Sequence, residues 1–98
     1  MTINKTKEGS KLILEVEGRL DTATAPELEA VVTDELDGIT DLVVDFEKLD
    51  YISSAGLRVL LAAHKKMSKV GGMVVRHVNE IVMEVFEVTG FQDILTIE

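Results

Sequence analysis

Three short runs rich in aliphatic and β-branched residues constrain this chain most: "KLILEVEG" at 11–18, "DLVVDF" at 41–46 and "MVVRH" at 73–77. Stretches with apolar residues at helical spacing lie between them. Strands separated by helices pair in parallel through crossover connections, because parallel neighbours cannot be joined by a tight turn. In the first run Leu12, Leu14 and Val16 alternate with polar neighbours, which marks a half-buried strand with Ile13 on its other face. Upstream, "TINKT" at 2–6 is a shorter strand, and the glycine turn in "KEGS" makes the two a hairpin. Gly18 is expected to end the second strand.

The helical stretches carry their own signals. In "TAPELEAVVTDELDG" at 24–38, Thr24 and Glu27 form a capping-box pattern, Pro26 fits the first turn, and Gly38 is a stop. Leu28, Val31, Val32 and Leu36 repeat along one face. "AGLRVLLAAHKKMSKVGG" at 55–72 places Leu57, Leu60, Leu61 and His64 on one face. Its lysines lie near the C-terminal end, where the helix dipole favours cations. Asn79 caps "EIVMEVFEV" at 80–88, with Val82, Val85 and Phe86 inward, and Thr89-Gly90 stops it. "DLVVDF" reads as a strand buried on both faces, and "ILTI" at 94–97 as a last short strand. The expected order is β-β-α-β-α-β-α-β: a single α/β domain over residues 1–98, with a mixed, mostly parallel sheet packed against helices.

Composition excludes several classes. The 98 residues include no cysteine, so neither a disulfide framework nor a thiolate metal site is available. A net charge of −8 repels duplex nucleic acid. That acidity serves solubility and is open to a basic protein partner. No run reaches the roughly 20 apolar residues of a membrane span, and the N-terminus does not read as a signal peptide. The expectation is a soluble cytoplasmic protein without direct membrane insertion.

"DYISSAGLRVLL" at 50–61 puts Ser53 and Ser54 between a loop, expected over 47–53, and the start of a helix. Open α/β sheets place functional loops at the carboxyl ends of their strands, and a helix N-terminus offers free N–H groups and partial positive charge. One serine caps the helix on the simplest reading. A nucleophile elbow would need Gly at the position of Ile52, and nothing in the spacing assembles a triad with His64 or His77. Both histidines read as ordinary, partly exposed residues. Phosphorylation remains: about −1.5 to −2 charges at a helix N-terminus is tolerated by the fold and alters what the surface can dock. No metal or other cofactor and no catalytic residue is expected, because no acid, base and nucleophile converge.

"LDYISSAGLRVLL" at 49–61 resembles the STAS domains of bacterial anti-sigma-factor antagonists. "EGRLDTATAPEL" at 17–28 is similar to that family's strand-to-helix turn, and "LVVDFEKLDYISSAGL" at 42–57 to its central strand and phosphorylation loop. The resemblance implies an antagonist that binds an anti-sigma-factor serine kinase and frees a sigma factor. Phosphorylation by the kinase releases it, and a PP2C-type phosphatase restores it. By motif position the target is Ser54. Many members carry an acidic residue just before the target; here Ser53 stands there and is the alternative target. The implied partner-binding set is Asp21, Thr22, Ser53, Ser54, Gly56, Leu57 and Arg58. Beside this, Leu57 reads from its periodicity as core, Gly56 as a point of close backbone approach for a partner, and Arg58 as one turn from Ser54. The other role such a resemblance allows is a STAS module in a stressosome-like scaffold or a lipid-transport complex.

Overall fold

A computed structural model describes residues 1–98. In chain order the elements are β1 (Thr2–Glu8), β2 (Lys11–Leu20), α1 (Ala25–Asp34), β3 (Asp41–Asp45), β4 (Leu49–Ile52), α2 (Ser54–Ser68), β5 (Gly72–Arg76), α3 (Glu80–Thr89) and β6 (Thr96–Ile97), with a 3-10 turn at Phe91–Asp93 before β6. β1 and β2 form the expected antiparallel hairpin, with Glu8 opposite Lys11 and Gly9 in the turn at φ 62°. That left-handed conformation is open to glycine without steric cost. The sheet order is β1-β2-β3-β5-β6, and every pair after the hairpin is parallel. The α/β class and the mixed, mostly parallel sheet are those expected from the sequence.

Period-two alternation places the core on one face of the sheet. Leu12, Leu14 and Val16 of β2, Leu42 and Val44 of β3, and Met73 and Val75 of β5 join one cluster with Leu28, Val32, Leu57, Leu60, Val82 and Phe86 from the three helices. Val43 is buried outside that cluster, on the other face, in register between Ile13 and Val74. β3 is therefore buried on both sides, as its continuous apolar run implies.

Four local readings need correction. Gly18 does not end β2. With φ 97° it lies at a bulge in the stretch where β2, no longer paired with β3 after Glu15, pairs in parallel with β4. A bulge adds local twist, and here it shifts the register within the pairing of β2 with β4. The 47–53 stretch is not all loop, since β4 occupies Leu49–Ile52 and adds a sixth strand. Helix α1 stops at Asp34 rather than Gly38, and Leu36 enters the core from the turn that follows. The Thr24 hydroxyl does not cap α1. It donates to the Arg19 carbonyl at 2.7 Å and accepts the Asp21 N–H at 2.9 Å. α3 begins as expected: Asn79 Oδ1 accepts the Val82 N–H at 2.8 Å, while its Nδ2 donates to the Leu49 carbonyl at 2.7 Å and ties the helix to β4. Gly90 ends α3 at φ 80°.

Candidate functional site: two loops leaving adjacent strands

The strand β4 decides where the serine pair lies. Leu20 of β2 and Ile52 of β4 are in register, and the Ser53 N–H donates to the Leu20 carbonyl at 2.9 Å. The β2–α1 and β4–α2 loops therefore leave the sheet side by side, at the carboxyl ends of neighbouring parallel strands. Asp21 follows Leu20 directly, so the structure brings the Asp21 loop and the serine pair together.

The two serines have different roles. Ser53 has extended backbone (φ −103°, ψ 176°), and its carbonyl accepts the Leu57 N–H at 3.0 Å, which makes it the N-cap of α2 by position. Its hydroxyl makes no cap bond and is buried without a partner. Ser54 is the first helical residue and is exposed. The expectation that a serine side chain caps α2 is thus corrected. α2 also has no acidic residue in its first turn, whereas α1 has Glu27 and α3 has Glu80. The positive end of its dipole has no carboxylate from its own first turn to complement it.

Asp21 is tied to its own loop. Its Oδ1 accepts the N–H groups of Ala23 at 3.0 Å and Thr24 at 3.1 Å. The Thr24 N–H foremost holds the Asp21 carboxyl below the ordinary carboxylate value. Desolvation opposes this, and the Thr24 hydroxyl, the Ala23 N–H and the Arg19 charge lower it further. Its other oxygen lies 3.8 Å from Arg19 Nε. Arg19 in turn sits over the Tyr51 ring, 4.5 Å from its centroid, within cation–π range. Sequence reading missed Arg19 and Tyr51, which meet only because β4 pairs with β2.

Thr22 and Arg58 line one open groove between α1 and α2, together with Ala25, Pro26, Ala55 and Val59. Gly56 and Leu57 point the other way and are buried. A Cβ on Gly56 would lie 2.7 Å from Leu20 Cγ and 2.9 Å from Ile52 Cγ1. The missing side chain admits the core, not a partner's backbone, and Leu57 is core as its periodicity implies.

The histidines lie apart from the serines. His77, at φ 57°, sets Nδ1 3.0 Å from Asp45 Oδ1, and Arg76 Nε is 3.2 Å from Asp45 Oδ2. Asp45, Glu47 and His77 bring their donor atoms within 4.8 Å of one another. The Asp45 carboxylate is already engaged by Arg76, His77 and the Glu47 N–H at 3.0 Å, a set that closes the turn between β3 and β4. Burial raises the Asp45 carboxyl, but the Glu47 N–H, His77 and Arg76 outweigh it and hold the group below the ordinary 3.8. A lowered folded pKa contributes stability that is present above the unfolded value and lost as pH falls through the folded one. The urea midpoint is therefore expected to drop as pH falls below about 4, and Asp45→Asn is expected to flatten that limb while lowering stability at pH 7. An unchanged acid limb in urea unfolding of Asp45→Asn would show that this carboxylate does not carry the linkage.

The family model for the STAS domain matches residues 2–98. The chain belongs to the STAS family. This STAS domain is 38% identical over 99 residues to the putative anti-sigma factor antagonist BtrV of Bordetella bronchiseptica, covering 99% of this chain and 85% of the relative. It is 30% identical to an anti-sigma-B factor antagonist of Staphylococcus aureus, covering 97% of this chain and 90% of the relative. Its fold matches that of the Bacillus cell fate determinant SpoIIAA in the phosphorylated form, with a TM-score of 0.77 at 16% identity, over 99% of this chain and 91% of the other. No helix of this domain is long and apolar enough to cross a membrane.

Proposed function

We propose that this STAS domain is a cytoplasmic anti-sigma-factor antagonist switched by phosphorylation of Ser54. The unphosphorylated form binds an anti-sigma factor that is itself a serine kinase, and so frees a sigma factor. Transfer of the γ-phosphoryl group of ATP to the Ser54 hydroxyl ends that binding, and a PP2C-type phosphatase reverses it. The surface formed by Asp21, Thr22, Ser54 and Arg58, with the Arg19–Tyr51 pair beside it, meets the partner. Ser53, Gly56 and Leu57 hold that surface in place from behind.

One observation carries this reading: Ser54 is an exposed hydroxyl at the first position of α2, beside the Asp21 loop, at a helix end with no carboxylate in its first turn. A phosphate there supplies the missing negative charge and leaves the core untouched. Ser53, the alternative target, has a buried hydroxyl that a kinase reaches only after local opening. The relatives named as anti-sigma factor antagonists support the class of partner.

Incubation with a cognate anti-sigma-factor kinase and ATP is expected to add one phosphate, mapped by peptide mass spectrometry to Ser54. Ser54→Ala is expected to remain unmodified, and Ser53→Ala to be modified as in the wild type. Phosphate found only on Ser53, or on neither serine, overturns the assignment.

A further inference from the structure

The outer face of α3 is not used by the site described above. Val82 and Phe86 are fully buried and Met83 and Val85 partly so, which fixes the inward side of this helix. Its outward side carries two large apolar residues, Ile81 at 60% and Val88 at 82% exposure. At seven residues apart they lie on nearly one line of the helix, about 10 Å from each other along the axis. Beside that line runs an acidic ridge of Glu80, Glu84 and Glu87, which with Met83 forms an open groove.

The ridge is locally unfavourable. Spacings of four and three residues between like charges each cost about 0.2–0.5 kcal/mol in a helix. Glu87 stands in the last turn, where the dipole disfavours an anion, and no basic residue is there to offset it. Nor does the neighbouring sequence neutralise it. After Arg76 the chain contains five acidic residues and no lysine or arginine. Apolar exposure and uncompensated negative charge thus run in parallel along two turns of one helix.

We infer that this face of α3 is a second docking surface, whose occupant is a cationic amphipathic helix of a partner protein. Two apolar side chains one heptad apart match the ridge of a facing helix. The flanking carboxylates select lysine or arginine beside the partner's apolar residues. A second copy of this chain would set glutamate against glutamate, and an anionic lipid surface would be repelled, so charge disfavours both. α3 packs on β4 and the 3-10 turn, whereas α1 and α2 pack on each other, so this surface stands apart from the groove between α1 and α2.

The test is a titration of the isotope-labelled full chain followed by amide shifts. The probe is a synthetic 18-residue peptide with leucines along one helical face, lysines flanking them and alanine elsewhere; its control has glutamate for lysine. Shifts centred on residues 80–89 are expected, together with an affinity at least about tenfold weaker for the control and for both Glu84→Lys/Glu87→Lys and Ile81→Ser/Val88→Ser. The charge-reversed variant should unfold at a urea concentration no lower than the wild type, since it relieves like-charge repulsion, which separates lost docking from lost folding. Shifts centred elsewhere, equal binding of the control peptide, sedimentation showing dimers that Val88→Ser disrupts, or binding of the free chain to phosphatidylglycerol vesicles would each overturn the proposal.

Discussion

Gly71→Ala is expected to lower the urea midpoint by more than about 1 M and the thermal midpoint by more than about 10 °C, while Gly72→Ala leaves both nearly unchanged. The two glycines are adjacent where α2 hands over to β5, and the sequence offers no way to tell them apart. In the structure a Cβ on Gly71 would lie 1.9 Å from the Thr40 carbonyl oxygen and 2.8 Å from its carbon, whereas one on Gly72 meets nothing within 4 Å. Thr40 cannot yield alone. Its carbonyl accepts the Gly72 N–H at 3.0 Å and its N–H donates to the Ser10 carbonyl at 2.9 Å. It is thus held between the β1–β2 turn and the entry to β5. Relief requires moving the start of β3 away from β5, with loss of the Gly72 hydrogen bond at about 0.5–1.5 kcal/mol, added to about 1–3 kcal/mol for overpacking. The sum is a sizeable share of the roughly 5–15 kcal/mol that holds a domain together. Equal midpoints for the two variants would refute the argument.

The same contrast explains what was legible in the sequence. Elements whose information is local were readable: the alternation of β2, the continuous apolar run of β3, the Asn79 cap, and the Gly90 stop. β4 was not, because "LDYI" is four residues long, turns only Leu49 and Ile52 fully inward, and abuts the serine pair. With β4 unseen, the bulge at Gly18 read as a strand end, and the Arg19–Tyr51 contact had no basis. Thr24 shows a further limit. Its sequence neighbours form a capping box, yet its hydroxyl has the Arg19 carbonyl within 2.7 Å, a partner supplied by the bend of β2. The position of Ser54 at a helix start was legible from pattern alone. The burial of the Ser53 hydroxyl was not, since it depends on how β2 and β4 converge. Asp45 and His77 are 32 residues apart and meet only because β3 and β5 are in register at Asp45 and Arg76. The β-branched runs that mark those strands were the sole signal available for that pair.

Ser54→Asp is expected to weaken binding to the anti-sigma-factor kinase by more than tenfold while changing folding stability by less than about 1 kcal/mol. The two effects separate because the charge meets different surroundings in each equilibrium. In the free domain Ser54 is exposed at the first position of α2, and no acidic residue in that turn repels the new carboxylate. The helix dipole favours it by about 0.3–1 kcal/mol. In the complex the same carboxylate is either desolvated or set against the partner's own charges, and a mismatched buried charge costs about 2–5 kcal/mol. Each 1.4 kcal/mol is one decade in the dissociation constant. Ser54→Ala adds no charge, so it is expected to bind as the wild type does and to stay bound when ATP is added. Ser53→Ala removes a buried hydroxyl that has no partner, which is neutral or stabilising for the fold, and should leave the switch intact. The measurements are a urea midpoint and a calorimetric dissociation constant for each variant. Phosphate carries more charge than aspartate, about −1.5 to −2 at neutral pH, so stoichiometrically phosphorylated protein should bind more weakly still. Phosphoprotein that binds as tightly as the unmodified domain would rule out an electrostatic switch at Ser54.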